Sequence, residues 1–336
     1  MVRVAVVGAG AWGFNHVRTF EALADCNLQV VVDSDEKALA RVRKSFRDLK
    51  TENDYRPIVR GEDLDAVVVA TSAESHYEVA KAALEAGKHV LVEKPLVLHA
   101  EQGEELIELA EKGGLVLAVG HLLLYHAAVQ KLKDLVDSGE LGDIYYMYTS
   151  RINLGKVRTT ENALWSFAPH DISMMLYLVG QLPNLVLATG QSYLNPGIED
   201  VTFFTLHFPN NTMGHGQVSW LDPHKIRKIT VVGSKKMVVF DDMESAEKIK
   251  LYDKGVDAPS SYETYGEYQS LRNGDIVIPR LRMSEPLKNE CQHFIDCVRN
   301  GEKPLSDGHE GLQVVRVLEA AQRSLENRGA AVELET

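Results

Sequence analysis

The strongest constraint on the fold lies in the first 120 residues, where short, β-branched and nearly all apolar runs alternate with longer stretches of mixed character. The runs at 2–7, 28–32, 66–70, 89–92 and 115–119 show no polar alternation, so both faces of the strands they form must be covered. Between them, apolar residues recur every three or four positions, as in Val79, Ala82, Ala83 and Ala86, and again in Leu106, Ile107 and Leu109. Such alternation predicts a doubly wound parallel sheet with crossover helices. Gly87 and Gly113 fall where those helices should stop, since glycine accepts the left-handed conformation that caps a last turn.

A chain of 336 residues exceeds what one core usually serves. The texture changes after Gly120, so we expect a dinucleotide-binding type of domain over 1–121 and an α+β domain over 122–336. A helix at 127–137 leads into segments that alternate every second residue, at 143–151, 186–194 and 201–208, as strands with one wet face do. The Pro209-Asn210-Asn211 turn would link 201–208 to 212–220, with 226–232 and 236–240 continuing a mainly antiparallel meander. Residues 257–275 read as a surface loop, and helices are expected at 285–299 and 308–327.

Composition removes several function classes. Acidic residues outnumber basic ones 48 to 36, and a net charge of -12 disfavours nucleic acid and anionic membranes as partners. Cys26, Cys291 and Cys297 form no CxxC pair, which fits a reducing compartment and buried packing. The apolar run 4–7 is too brief for a signal peptide, and the uncharged stretch 113–130 carries three glycines and two histidines, so a cytoplasmic protein without a membrane span is expected.

Gly8-Ala9-Gly10-Ala11-Trp12-Gly13 follows the first strand directly and opens a helix. In that context GxGxxG permits a tight turn and lets backbone amides reach a pyrophosphate. Asp33 ends the second strand 20 residues after Gly13, where a carboxylate can accept hydrogen bonds from the adenosine ribose. Ser34, Asp35 and Glu36 follow, with no immediate cation for a 2′-phosphate, so NAD is the expected cofactor.

Glu93-Lys94-Pro95 sits at the carboxyl end of another parallel strand, where open sheets bind ligands. A lysine there can stabilise an alkoxide or move its proton, although by itself the Glu-Lys pair reads equally as a solvated ion pair. With GxGxxG, Glu93-Lys94-Pro95 and Gly120-His121 all present, the chain resembles the glucose-fructose oxidoreductase and inositol dehydrogenase family. Ala70-Thr71 with His76, the start of the helix at Glu285-Pro286-Leu287, and Pro304, Ser306 and Asp307 extend the likeness over almost the whole chain.

The resemblance implies that Lys94 acts at the substrate hydroxyl, that the Lys94-Pro95 peptide is cis, and that His170 is the second catalytic residue. It adds Ala11, Trp12, Thr71, His76, Glu93 and Lys94 itself to the cofactor contacts. Ser166 stands where the family usually carries an aspartate four residues before the histidine. His170 would then take the hydroxyl proton while Lys94 stabilises the oxygen, a role suited to a side chain that titrates near neutrality. No metal is required, and no HExxH-type spacing occurs.

Arg151, Lys156 and Arg158 gather before the 163–172 stretch, and such cations suit a diphosphate as well as a solvent-facing strand edge. With Asn153, Trp165, Ser166 and His170, this stretch looks most like the family's nucleotide-sugar branch, and His121 and Tyr125 complete the implied substrate contacts. The likeness implies oxidation of the 3-hydroxyl of a UDP-N-acetylhexosamine by a homodimer or homotetramer formed through the C-terminal sheet. Two other readings remain: a dehydrogenase or keto-reductase for a free sugar or polyol such as inositol, and a non-catalytic NAD-sensing regulator.

Overall fold

The computed structural model describes residues 1–257 and 270–334, which divide into two compact units. The first comprises Met1–Tyr125 and Ser284–Arg316. Its sheet contains β1 (Val2–Val7), β2 (Cys26–Val32), β3 (Lys50–Glu52), β4 (Ala66–Val69), β5 (His89–Glu93) and β6 (Leu117–Gly120), in the order β3-β2-β1-β4-β5-β6. Every pairing is parallel. The crossovers carry α1 (Gly13–Glu21), α2 (Glu36–Ser45), α3 (Tyr55–Val59), α4 (His76–Glu85) and α5 (Ala100–Gly113).

The order reverses direction between β1 and β4, and ligands bind at the carboxyl ends of strands beside such a switch. Gly8 and Ala70 leave the two strands at this point, with the Ala70 amide donating to the Val7 carbonyl at 2.8 Å. Two expectations shift by small steps. Helix α5 runs through Gly113 and is capped instead by Gly114, at φ +61°. Strand β3 is three residues long and lies at the sheet edge, too short for any periodicity to register in sequence.

The two compact units are not continuous stretches of sequence. Helix α8 (Pro286–Asn300) belongs to the first unit, because Leu287, Cys291, Phe294 and Ile295 form one apolar stripe that joins Val4, Val6, Val17 and Phe20 in a single core. The division between units falls within α9 (Gly308–Glu326), between Arg316 and Val317. All three cysteines are buried thiols.

The second unit, His126–Met283 with Val317–Thr336, holds α6 (Ala127–Asp137), α7 (Ala163–Val179) and a nine-stranded sheet. Its strands are β7 (Ile144–Ile152), β8 (Leu185–Gln191), β9 (Val201–His207), β10 (Met213–Ser219), β11 (Ile226–Gly233), β12 (Met237–Asp241), β13 (Ile249–Asp257), β14 (Ser270–Val277) and β15 (Val332–Glu333). The order β14-β13-β12-β11-β7-β10-β9-β8-β15 is not the simple meander expected. Strand β7 inserts between β10 and β11, parallel to the first and antiparallel to the second.

Helix α7 packs against β7, β9 and β10, so one face of this sheet is covered. On the other face Tyr146 and Tyr148 stack with centroids 6.4 Å apart beside Met213 and His215. Of the expected loop at 257–275, residues 258–269 lie outside the described residues, and 270–275 belong to β14. Among the described residues no helix is long and apolar enough to cross a membrane.

Candidate active site

The three motif glycines answer to three different demands. Gly8 takes φ +98°, and a Cβ there would run into the Ala70 carbonyl, while a Cβ on Gly13 would strike the Gly8 carbonyl where α1 approaches β1. Gly10 differs, since a Cβ at that position meets no atom within 4 Å. The fold therefore does not need glycine there, but a ligand lying close against the backbone would. Asp33 Oδ2 accepts from the Ala9 amide at 2.6 Å and Oδ1 from the Asp35 amide at 2.8 Å, so the carboxylate both holds the turn and stands beside it. An open glycine, amides at a helix start and an adjacent carboxylate fit a dinucleotide. Gly10→Ala is expected to leave unfolding stability within about 1 kcal/mol and to weaken NAD binding at least tenfold, as checked by NADH fluorescence titration.

Strand β5 delivers Glu93 and Lys94 to the same end of the sheet, and the Lys94-Pro95 peptide is cis. Glu93 is buried and ties three segments together. Its Oε1 accepts from the Trp12 indole and from His16 Nε2 (2.6 Å), and its Oε2 from the Lys94 amide at 3.1 Å. Gly120 backs onto this carboxylate, because a Cβ there would lie 3.1 Å from it. Burial opposes ionisation of Glu93, but the His16 hydrogen bond, His16 and Lys94 charges and the Trp12 bond outweigh it and hold the carboxyl below its ordinary range. His76 sits beneath the same turn, with Nδ1 2.8 Å from the Pro95 carbonyl and Nε2 3.3 Å from that of Thr71. Burial lowers its pKa, so it is a neutral ring whose Nδ1–H donates to Pro95, and it acts on the turn's backbone.

Sequence reasoning missed what lies behind Glu93. His16, on α1, is fully buried, and its Nδ1 lies 3.7 Å from the Cys291 thiol on α8. Beside Cys291, both carboxyl oxygens of Glu290 are buried without a hydrogen-bond partner among the described residues. Burial, and then Glu93, push Glu290 well above the carboxylate range, so one of these two acids is ionised and the other carries a proton. The unfolded chain releases that proton near pH 4.3, whereas the folded chain retains it. Stability from Glu290 is complete at low pH and declines with rising pH by about 1.4 kcal/mol per unit until the folded group titrates. Glu290→Gln removes this slope, so the melting temperature of the variant relative to wild type should climb steadily from pH 5 to pH 8. A constant difference would refute the protonated state.

The Gly120-His121 pair lies at the end of β6. His121 Nδ1 meets Glu310 Oε2 at 2.5 Å, and His121 is 1% exposed. Ser306 Oγ donates to the Val119 carbonyl at 2.7 Å, so the Tyr125 hydroxyl, 2.9 Å away, donates to Ser306. Burial raises the Tyr125 pKa, which keeps the phenol protonated. His121 and Tyr125, expected at the substrate, are both held by the 306–310 region.

In the second unit, Asn162 caps α7, accepting from the Trp165 amide at 3.1 Å and donating to Glu199 and Gln322. Pro169 lies within the helix just before His170, which is half-buried, while Ser166 is buried and Trp165 half-buried. The expected trio of cations does not act as one group. Arg151 is committed to Asp171, with Nε to Oδ2 at 2.8 Å and Nη2 to Oδ1 at 3.1 Å, and both residues are buried. Lys156 and Arg158 are exposed, Arg158 lying 3.4 Å from Glu161, and Asn153 is half-buried. Lys94 thus belongs to the first unit, and His170 with this segment to the second.

Comparison with known proteins bears on this arrangement. Residues 2–121 match the model of the oxidoreductase family with an NAD-binding Rossmann fold, and residues 133–334 match that family's C-terminal alpha/beta domain. The chain belongs to the glucose-fructose oxidoreductase and inositol dehydrogenase family. It is 26% identical to the myo-inositol 2-dehydrogenase of Thermotoga maritima over 97% of each chain. It is also 26% identical to the NAD-dependent scyllo-inositol 2-dehydrogenase of Bacillus subtilis, over 99% of this chain and 96% of that one. Among solved structures, the UDP-N-acetylglucosamine 3-dehydrogenase of Acidithiobacillus ferrooxidans shares the fold, with a TM-score of 0.83 at 24% identity over 97% of each chain. As a member of this family the chain is an oxidoreductase acting on sugar hydroxyl groups with NAD, which sets aside the reading as a non-catalytic sensor.

Proposed function

We propose that this oxidoreductase removes a hydride from the 3-hydroxyl carbon of a UDP-N-acetylhexosamine. The observation that carries the chemistry is the fastening of the Lys94 turn to the cofactor loop through Glu93, which fixes the backbone of a lysine at the mouth of the parallel strands. His170 takes the hydroxyl proton, and Lys94 stabilises the negative charge that develops on the oxygen. NAD supplies the hydride acceptor. Lys156 and Arg158, both exposed, contact the diphosphate. Thr71 and Trp12 line the cofactor, and Asn153, Trp165 and Ser166 the sugar.

The alternative substrate is a free polyol. Two observations favour it: relatives of 26% identity are inositol dehydrogenases, and the Arg151–Asp171 pair takes one cation away from a diphosphate site. Calorimetry with UDP, followed by NADH formation with UDP-N-acetylglucosamine, its uronic acid and myo-inositol, separates the two. Submillimolar UDP binding with turnover of a UDP-sugar supports the first reading, and turnover of inositol without UDP binding replaces it. We place the cytoplasmic oligomer's contact on the sheet face bearing Tyr146, Tyr148 and Met213, which light scattering of a Tyr148→Glu variant would test.

A further inference from the structure

Asp33 and Arg41 hold the same residue, Ala9, from opposite ends. While Asp33 accepts from its amide, Arg41 on α2 donates through Nη2 to the Ala9 carbonyl at 2.8 Å and to the Gly10 carbonyl at 2.6 Å. The Phe14 ring lies under the guanidinium, 4.3 Å from centroid to carbon. A guanidinium presents five N–H groups in a planar fork. Only Nη2 is engaged here, so the donors on Nη1 and Nε meet no acceptor among the described residues. The cation is oriented by neutral carbonyls and carries no salt bridge among the described residues.

Neighbouring acids are otherwise occupied. Asp35 caps α2 by accepting from the Lys37 amide at 2.9 Å, and Glu36 pairs with Arg43. Asp33, at the end of β2, is the carboxylate that meets the glycine turn at the same residue as Arg41, accepting from the Ala9 amide while Arg41 donates to the Ala9 carbonyl. A 2′-phosphate brings roughly 1.5 to 2 negative charges and three acceptor oxygens, which a planar fork binds well and a carboxylate repels.

We propose that Arg41 is a latent receptor for the 2′-phosphate that distinguishes NADP from NAD, kept out of use by the charge of Asp33. Arg41 lies eight positions after Asp33 in sequence, and a turn of helix brings the cation back to the glycine loop. Asp33→Asn is the informative change, since an amide oxygen can still accept from Ala9 while the charge is gone.

The test is a fluorescence titration with NADH and NADPH, with 2′,5′-ADP as competitor, and needs no sugar substrate, so its outcome is independent of the proposed substrate. Asp33→Asn should shift the ratio of dissociation constants at least tenfold toward NADPH. Adding Arg41→Ala or Arg41→Gln should abolish that shift while NADH still binds, the glutamine retaining a donor for the Ala9 carbonyl, and adding Lys37→Ala should leave it in place. An unchanged ratio in Asp33→Asn, a shift that survives both Arg41 changes, or one lost with Lys37→Ala would each overturn the assignment.

Discussion

Lys94→Ala is expected to lower kcat by about a thousandfold while leaving NADH binding near wild type. The first half follows from the task assigned to the ammonium, because charge stabilisation and proton movement at a reacting oxygen typically contribute two to four orders of magnitude. The second half follows from geometry. Glu93 accepts from the Lys94 backbone amide, so truncating the side chain leaves that bond and the links to Trp12 and His16 in place. Lys94→Arg should not restore activity, since a planar fork cannot replace a compact point charge. His170→Ala should show a comparable loss. Stopped-flow measurement of NADH formation checks both, and wild-type rates in either variant would remove that residue from the mechanism.

Arg151→Ala is expected to destabilise the second unit by about 3–5 kcal/mol, the usual cost of leaving one member of a buried ion pair without its partner. Asp171 is 1% exposed, and burial already raises its pKa despite the pull of Arg151. Without the guanidinium it must take up a proton or draw in water. Arg227, the cross-strand neighbour of Arg151, cannot substitute without rearrangement, as it makes no hydrogen bond to Asp171 in this structure. The double change Arg151→Met/Asp171→Leu should recover most of the loss, because a well-packed apolar pair of similar volume often matches a buried ion pair. Thermal unfolding with a fall of about 10 °C for the single variant and a much smaller one for the double would show this. If Arg151→Ala instead left stability unchanged and weakened UDP binding, the residue would return to the substrate site where sequence alone had placed it.

That reversal shows what a charge pattern can and cannot say. Three cations within eight positions read equally as a diphosphate site or a strand edge, and what distinguishes them is the partner each finds across space. Arg151 found Asp171, 20 residues away on a helix. The resemblance made His76 a cofactor contact, and in the fold both of its ring nitrogens face backbone carbonyls. Arg41 carried no signal, since an arginine midway along an amphipathic helix is ordinary.

Local order was legible in the amino acids alone. Apolar runs without alternation specify strands covered on both faces, and GxGxxG after the first of them specifies a turn that must pass close to the Ala70 backbone at Gly8 and fold closely on itself at Gly13. These are properties of a few consecutive residues and their immediate sterics, so one dimension suffices. The placement of α8 in the first unit, the insertion of β7 between β10 and β11, and the joining of His16, Glu93, Glu290 and Cys291 were settled only by the tertiary structure. An apolar stripe records that it must be covered but not by which surface, and a buried charge records the need for a counter-charge but not its address. Both are chosen when segments far apart in the chain compete for the same interior.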